Sequence, residues 1–313
     1  MTIRATFKPR DVEEPVDYWV NRPLASLLVK VLAPLPITPN QVTVLSGIVG
    51  SFSGIVIGTA PLHGSWQVPV GGLILYCSVL LDCADGQLAR LRGTSSMLGR
   101  FLDGVVDAVP IAAAFFGFAV LLYRSGYSFW AINVFGWAAG YSFKWQVHSY
   151  DHAKNIYLAN TRPEGERARA LPSLDEIRAE VERLRAGGDR LGAWILSGFV
   201  RFTDSQRRGW QKNRIGLGVE GTRDDRERAL YAEHFGPTMK LWTWNGLGFH
   251  MAIGIVGCLV TPIFPEACVA VCFFYLIPMN AFTAYTLWRE RRIERMLQDD
   301  FKRGEAAVES AQA

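Results

Sequence analysis

The sequence predicts an all-α fold: a polytopic membrane protein with six transmembrane helices, an N-terminal interfacial helix and a helical cytoplasmic insertion. Three observations point there. Half of the 313 residues are hydrophobic, and they fall in blocks of the length, about 20 residues, that a helix needs to cross a bilayer. The connections at 61–65, 124–127 and 261–265 are short and carry one basic side chain of Lys or Arg type, Arg124. Charged residues gather instead in the stretch 150–238 and after Trp288.

Composition excludes several classes. A formal charge of +4, with Lys and Arg spread among acidic residues, suits a membrane surface and gives no nucleic-acid footprint. Cys77, Cys83, Cys258, Cys268 and Cys272 all lie in apolar sequence without metal-finger spacing, and read as small core residues. The first 40 residues lack the uninterrupted apolar run and cleavage site of a secretory signal.

Taken in order, residues 1–40 form a cytoplasmic or interfacial segment. Within it, 16–35 mixes Tyr18, Trp19, Leu24, Leu27, Leu28 and Val31 with Arg22 and Lys30, as a helix lying in the interface does; a plain helix packed on the bundle is the alternative. Thr38-Pro39-Asn40-Gln41-Val42-Thr43 then opens the first span, with Pro near its first turn. The expected spans are 41–60, 67–91, 97–123 and 128–149, then 239–261 and 265–288. Between the two groups lies the cytoplasmic insertion 150–238, and 289–313 is a cytoplasmic tail. Arg90, Arg92 and Arg100 flank the turn at 92–97, and Arg289, Arg291 and Arg292 follow the last span, so the positive-inside rule puts these ends and the insertion in the cytoplasm.

Inside the insertion, Ser173-Leu-Asp-Glu176 is a capping box opening a charged helix that Gly187-Gly188 stops. Leu191, Trp194, Ile195, Phe199 and Phe202 then make an apolar stripe, read as a membrane-surface or gating helix or as a cap packed on the bundle. In the fourth span Lys144 either snorkels or meets an anionic substrate group. His148 and His152 are a weak metal signal and suit interfacial hydrogen bonding. Trp242 and Trp244 read as an interfacial belt, and Pro278 interrupts the last span. Asn245 and Asn280 are polar groups that need partners in lipid and are candidate contacts for a substrate alcohol.

The chemistry concentrates between Asp82 and Asp107, where four carboxylates sit in apolar sequence. Asp82, Asp85 and Ala89, with Gly86 beside Asp85, fall at offsets that share one face of a helix. Gly99, Asp103 and Asp107 repeat every four residues on the next helix. Gly93 should stop the first helix, so the two form a hairpin that brings the stripes together. Two like charges about 4 to 5 Å apart repel by roughly 3 to 4 kcal/mol at an effective dielectric near 20, so such a cluster needs cations. Oxygen-only ligands select hard ions, Mg2+ or Mn2+, and four carboxylates can bridge two of them around a phosphoryl group. Gly86, Ala89 and Gly99 would leave room for a ligand against the backbone.

The pattern D-x2-D-G-x2-A-R-x8-G-x3-D-x3-D is filled without a departure, and it resembles the signature of the CDP-alcohol phosphatidyltransferase family. The hydrophobic layout also resembles that family's six-helix core. The resemblance implies an enzyme of phospholipid biosynthesis in a bacterial-type cell membrane, its active site facing the cytoplasm. It would transfer a phosphatidyl group from CDP-diacylglycerol to a small alcohol and release CMP. It further implies that Asp82, Asp85, Asp103 and Asp107 hold two Mg2+ or Mn2+ ions, with Asp107 as general base. Gly86, Ala89, Gly99, Thr38 and Asn40 would border the CDP pocket and Arg90 support its phosphates. Lys144, Asn245 and Asn280, read from their own positions and not from the resemblance, remain the candidate contacts for the acceptor. A homodimer is expected.

Two readings of other classes compete. A cation transporter or channel would use the acids as an ion path, but would spread them over several spans rather than one hairpin. An inactive scaffold would have no need of a complete acid set. As a purely structural alternative, the carboxylates would pair with Arg90, Arg92 and Arg100.

Overall fold

The computed structural model of the chain describes residues 10–61, 63, 65–94, 106–163, 174–213 and 224–312; for 202–203, 205–213 and 301–312 it describes the backbone alone. Every regular element among the described residues is a helix. The chain divides into two compact units, Met1–Ser149 with Thr243–Phe282, and Tyr150–Trp242 with Thr283–Ala313.

The first unit opens with a π-helical turn, Asp17–Asn21, that runs into α1, Arg22–Leu32. Thr38 caps α2, Pro39–Thr59, through a reciprocal box: its hydroxyl accepts from Gln41 N and its own N–H donates to Gln41 Oε1. α3, Gln67–Arg92, ends at Gly93, whose φ of +64° is the left-handed cap that glycine adopts without strain. The stop expected at Gly93 is therefore present. The segment 95–105 lies outside the described residues, and the chain continues in α4, Ala108–Arg124, and α5, Phe129–Thr161.

α2 packs along both α3 and α4, and its small residues set the distances. A Cβ added at Gly54 would stand 2.3 Å from the Ala113 carbonyl oxygen, and one at Gly117 would stand 2.3 Å from the Gly54 carbonyl oxygen, so α2 and α4 touch backbone to backbone. On the α3 side the contacts are polar as well as close. Ser78 Oγ donates to the Ser46 carbonyl at 2.7 Å, and Ser53 Oγ to the Gly71 carbonyl at 2.8 Å. Serines are economical here because each buries its hydroxyl on a carbonyl of the neighbouring helix.

α9, Leu247–Val260, follows a 3-10 turn, Thr243–Asn245, and packs on α3. Its amino end is met by a carboxylate from the start of the chain: Glu14 Oε2 accepts from Phe249 N at 3.1 Å, where the helix dipole favours a negative charge. α10, Ala267–Leu276, ends before Pro278, which opens α11, Pro278–Gln312; the interruption expected at Pro278 is where the helix breaks. Leu75, Ala114, Phe143, Met251, Ile255, Tyr275 and Met279 form the core between these helices. Beside it lies an apolar cavity of about 260 Å3, lined by residues that include Ile111, Phe118, Ile132, Met251, Val271 and Tyr275.

In the second unit, α6, Leu174–Ala186, and α7, Arg190–Asn213, form a hairpin about Gly188, with Ile177, Val181, Ala193 and Leu196 buried. Of the apolar stripe read along α7, Leu191 and Trp194 are exposed, while Ala193 and Leu196 supply the buried contacts. α8, Asp225–Trp242, buries Tyr231, Phe235 and Met239, and Trp242 donates its indole N–H to Glu290 Oε2 at 2.9 Å.

Among the described residues four helical stretches are long and apolar enough to cross a membrane: Pro39–Thr59, Gln67–Arg92, Asp225–Val260 and Ala267–Asp300. They correspond to four of the six expected spans. The third expected span lies partly outside the described residues and leaves the 17-residue Ala108–Arg124. The fourth lies in α5, whose Trp130, Trp137, Tyr141 and Trp145, together with Asn133 and Lys144, make it less apolar than an aliphatic span. Amphipathic aromatics of this kind concentrate at membrane–water interfaces.

Candidate active site

α3 carries the first half of the acidic motif on its last three turns, in the first unit. Asp85 is 3% exposed, and the Thr43 hydroxyl from the first turn of α2 donates to its Oδ2; the same hydroxyl lies 3.2 Å from the Pro39 carbonyl. Asp82 is one turn earlier, half-buried, and its Oδ1 is buried with no hydrogen-bond partner among the described residues. An orphaned carboxylate oxygen beside a second, buried carboxylate is a donor set that asks for a cation.

Asp107 stands immediately before α4. One strip of α2 faces both halves of the motif: Thr43 reaches Asp85, while a Cβ at Gly47 would lie 2.8 Å from Val106, the neighbour of Asp107. Gly50, the next residue on the strip, sits against both Pro110 of α4 and Ser78 of α3. Asp103 and Gly99, which complete the motif, and Arg100 lie outside the described residues. Among the described residues no three His, Cys, Asp or Glu side chains converge on a point.

The two arginines at the end of α3 have different surroundings. The Arg90 guanidinium folds back over Gly86, 3.5 and 3.6 Å from where a Cβ on that glycine would be. Ala89 beside it is half-buried. Arg92 meets carbonyls rather than carboxylates: it donates to the Ile37 carbonyl and to those of Leu32, Ala33 and Leu35 at 3.3, 3.1 and 2.8 Å, which ties the α1–α2 connection to α3. Cys83, within the motif, packs with Ala25, Val29 and Ala84, the helix-packing use expected of it.

Behind the motif lies a buried arginine. Arg22 pairs with Glu13 at 2.9 Å, the two side chains 5% and 1% exposed, and also donates to the Cys83 carbonyl at 3.3 Å. Burial works against its charge, but Cys83, Glu13 and Asp17 around it outweigh that and hold its pKa above the ordinary arginine value. Gln87 donates in turn to the Arg22 carbonyl at 3.1 Å.

The remaining sequence candidates have separate places. Thr38 and Asn40 are exposed, and Thr38 is engaged in capping α2. Asn280 uses its amide hydrogens on Ser142 Oγ at 2.9 Å and the Leu276 carbonyl at 3.0 Å, and accepts from Gln146 at 2.9 Å. Gln146 Oε1 also accepts from His250 Nε2 at 2.8 Å, so Asn280 belongs to a buried polar network joining α5, α9 and α11. Asn245 is fully buried in the 3-10 turn, and Lys144 is exposed two residues before buried Gln146.

Thr43, Arg22 and Gln87 were not singled out as site residues from the sequence. Thr43 is legible in retrospect, four residues after Pro39 and four before Gly47 on the packed face of α2. Replacing Thr43 by Val keeps its shape and removes the donor to Asp85; kcat should fall about 10- to 100-fold in the protein that remains folded, the usual weight of a hydrogen-bond partner that orients a functional carboxylate.

Residues 36–147 match the CDP-alcohol phosphatidyltransferase family. The chain is 35% identical over 91 residues to an archaetidylinositol phosphate synthase of Pyrococcus horikoshii, 29% of this chain and 45% of that protein. It is 30% identical over 120 residues to a phosphatidylinositol phosphate synthase of Streptomyces avermitilis, 38% of this chain and 45% of that one. A choline/ethanolaminephosphotransferase 1 of Arabidopsis thaliana is 28% identical over 156 residues, 47% and 38% of the two chains. The chain thus spans less than half the length of these relatives. The matched stretch contains α2, α3 and α4, the Asp82–Asp107 motif and the Thr43 contact, and residues 36–147 are therefore a CDP-alcohol phosphatidyltransferase domain.

Proposed function

We propose that the protein is an integral-membrane phosphatidyltransferase of phospholipid biosynthesis, moving a phosphatidyl group from CDP-diacylglycerol to the hydroxyl of a small alcohol and releasing CMP. The observation that carries this is the Asp82–Asp85 pair on apolar α3, with Asp85 held by Thr43 inside the family's matched stretch. The donor set fits Mg2+ or Mn2+: the ligands are hard oxygens, and Asp82 Oδ1 lacks a partner among the described residues. Asp82 and Asp85, with Asp103 and Asp107, would hold the metal, which when bound supplies charge neutralisation for the pyrophosphate and the departing CMP.

The chain's own residues then do the following. Asp107, at the start of α4, accepts the proton of the alcohol hydroxyl, whose oxygen bonds to the lipid-side phosphorus as the bond to the CMP oxygen breaks. Arg90, whose guanidinium folds over Gly86, would supply positive charge to the donor's phosphates. The apolar cavity beside the core has the lining to take part of an acyl chain. The reading has the site face the cytoplasm, which Arg90 and Arg92 at the end of α3 support through the positive-inside rule.

The names of two of the relatives put inositol phosphate first among acceptors. The test incubates the purified protein with labelled CDP-diacylglycerol, Mg2+ or Mn2+, and a panel of inositol phosphate, glycerol phosphate, serine and other alcohols. CMP should appear with one acceptor and need the metal. Absence of acceptor-dependent CMP across the panel would contradict the proposal.

A further inference from the structure

We propose that Arg22 and Gln87 are positioning residues for the reaction above: they lock the rotation of α3 about its axis and so aim Asp82 and Asp85. The inference rests on the transferase reading and adds two residues outside the acidic motif's fixed positions. Cys83 and Gln87 are four apart, one turn of helix, and at about 100° per residue they lie roughly opposite the face bearing Asp82, Asp85 and Ala89. At this turn α1 is bonded to α3 in both directions. Arg22 Nη1 donates to the Cys83 carbonyl at 3.3 Å, and Gln87 Nε2 donates to the Arg22 carbonyl at 3.1 Å.

The lock is itself anchored. Arg22 is held by Glu13 at 2.9 Å in a pair almost wholly removed from water, and the far end of α1 is bound by Arg92 through the carbonyls of Leu32, Ala33 and Leu35. α1 is therefore fastened to α3 at the motif turn and again at Arg92 beyond it, with Ala25 and Val29 packed on Cys83 and Ala84. Side-chain atoms reach about 5 to 6 Å from a helix axis, so a 10° rotation of α3 would carry a carboxylate through about 1 Å. A displacement of that size costs about 100-fold where reacting groups must be aligned.

Two variants separate aim from stability. Arg22→Lys keeps a charge opposite Glu13 but has no planar fork to serve Glu13 and the Cys83 carbonyl together. Gln87→Met keeps the volume and removes the donor to Arg22 without leaving a charge unpaired. Both full-length proteins are titrated with Mn2+ by electron paramagnetic resonance, alongside melting temperature and CMP release. The expected result is a melting temperature close to the parent's, Mn2+ affinity weakened about tenfold and kcat lowered about 10- to 100-fold. KM for the CDP-lipid should change little. A role confined to stability would lower the melting temperature and leave the Mn2+ affinity of the folded protein intact. Variants with the parent's Mn2+ affinity overturn the proposal. A parent that binds Mn2+ yet releases no CMP refutes the transferase reading instead, and the Mn2+ titration still decides the positioning role.

Discussion

Asp85→Asn should reduce CMP release by about 10³-fold or more while the protein remains folded and membrane-inserted. The substitution is nearly isosteric, and its amide oxygen can still accept from the Thr43 hydroxyl, so the α2–α3 contact survives. What disappears is one negative charge at a site 3% exposed, where the local medium strengthens charge–metal attraction. Removing a like charge beside Asp82 also relieves repulsion, so in the presence of chelator the variant should melt no lower than the parent. Asp82→Asn should behave in the same way. Retention of most of the activity by either variant, at saturating metal, would show that these carboxylates are not the metal's ligands.

The second large effect is on folding. Gly54→Val should destabilise the protein by about 3 kcal/mol, visible as a lower melting temperature in detergent and a matching loss of active protein. The first atom added would meet the Ala113 carbonyl oxygen at 2.3 Å and its carbon at 2.5 Å, and these backbone atoms can yield only if α4 moves away from α2. Separation would also disturb the strip that carries Thr43, Gly47 and Gly50, the face of α2 shared by both halves of the motif. A Gly54→Val protein that melts with the parent would show that the two helices are not in backbone contact.

How far the sequence foretold these features depends on the kind of interaction. The all-helical class, the stop at Gly93 and the break at Pro278 follow from local rules, because glycine at positive φ and proline without an N–H act within one turn. The face shared by Asp82, Asp85 and Ala89 is legible for the same reason, since helical periodicity fixes it once α3 forms. Thr43, Arg22 and Gln87 were harder to read because their partners lie 42, 61 and 65 residues away, and no local pattern encodes such a contact. Arg22 read as an interfacial charge; burial with Glu13 gives it a different setting. Asn280 reads as a polar group that needs a partner and as a candidate contact for the alcohol, and its bonds to Ser142, Gln146 and Leu276 account for its polarity within apolar sequence. Aromatic and polar residues make α5 less apolar than the four helical stretches that, among the described residues, are long and apolar enough to cross a membrane.

The central claim is that the Asp82–Asp107 motif transfers the lipid-side phosphorus of a CDP-lipid. It is tested most directly by labelling that phosphorus in CDP-diacylglycerol and following it in the presence of inositol phosphate and Mn2+. The account predicts that the label moves into a new phospholipid containing the alcohol while the released CMP is unlabelled, and that the transfer stops with chelator and in Asp85→Asn. Label that stays in CDP-diacylglycerol for every alcohol supplied, or a transfer that Asp85→Asn and chelator leave untouched, would contradict it.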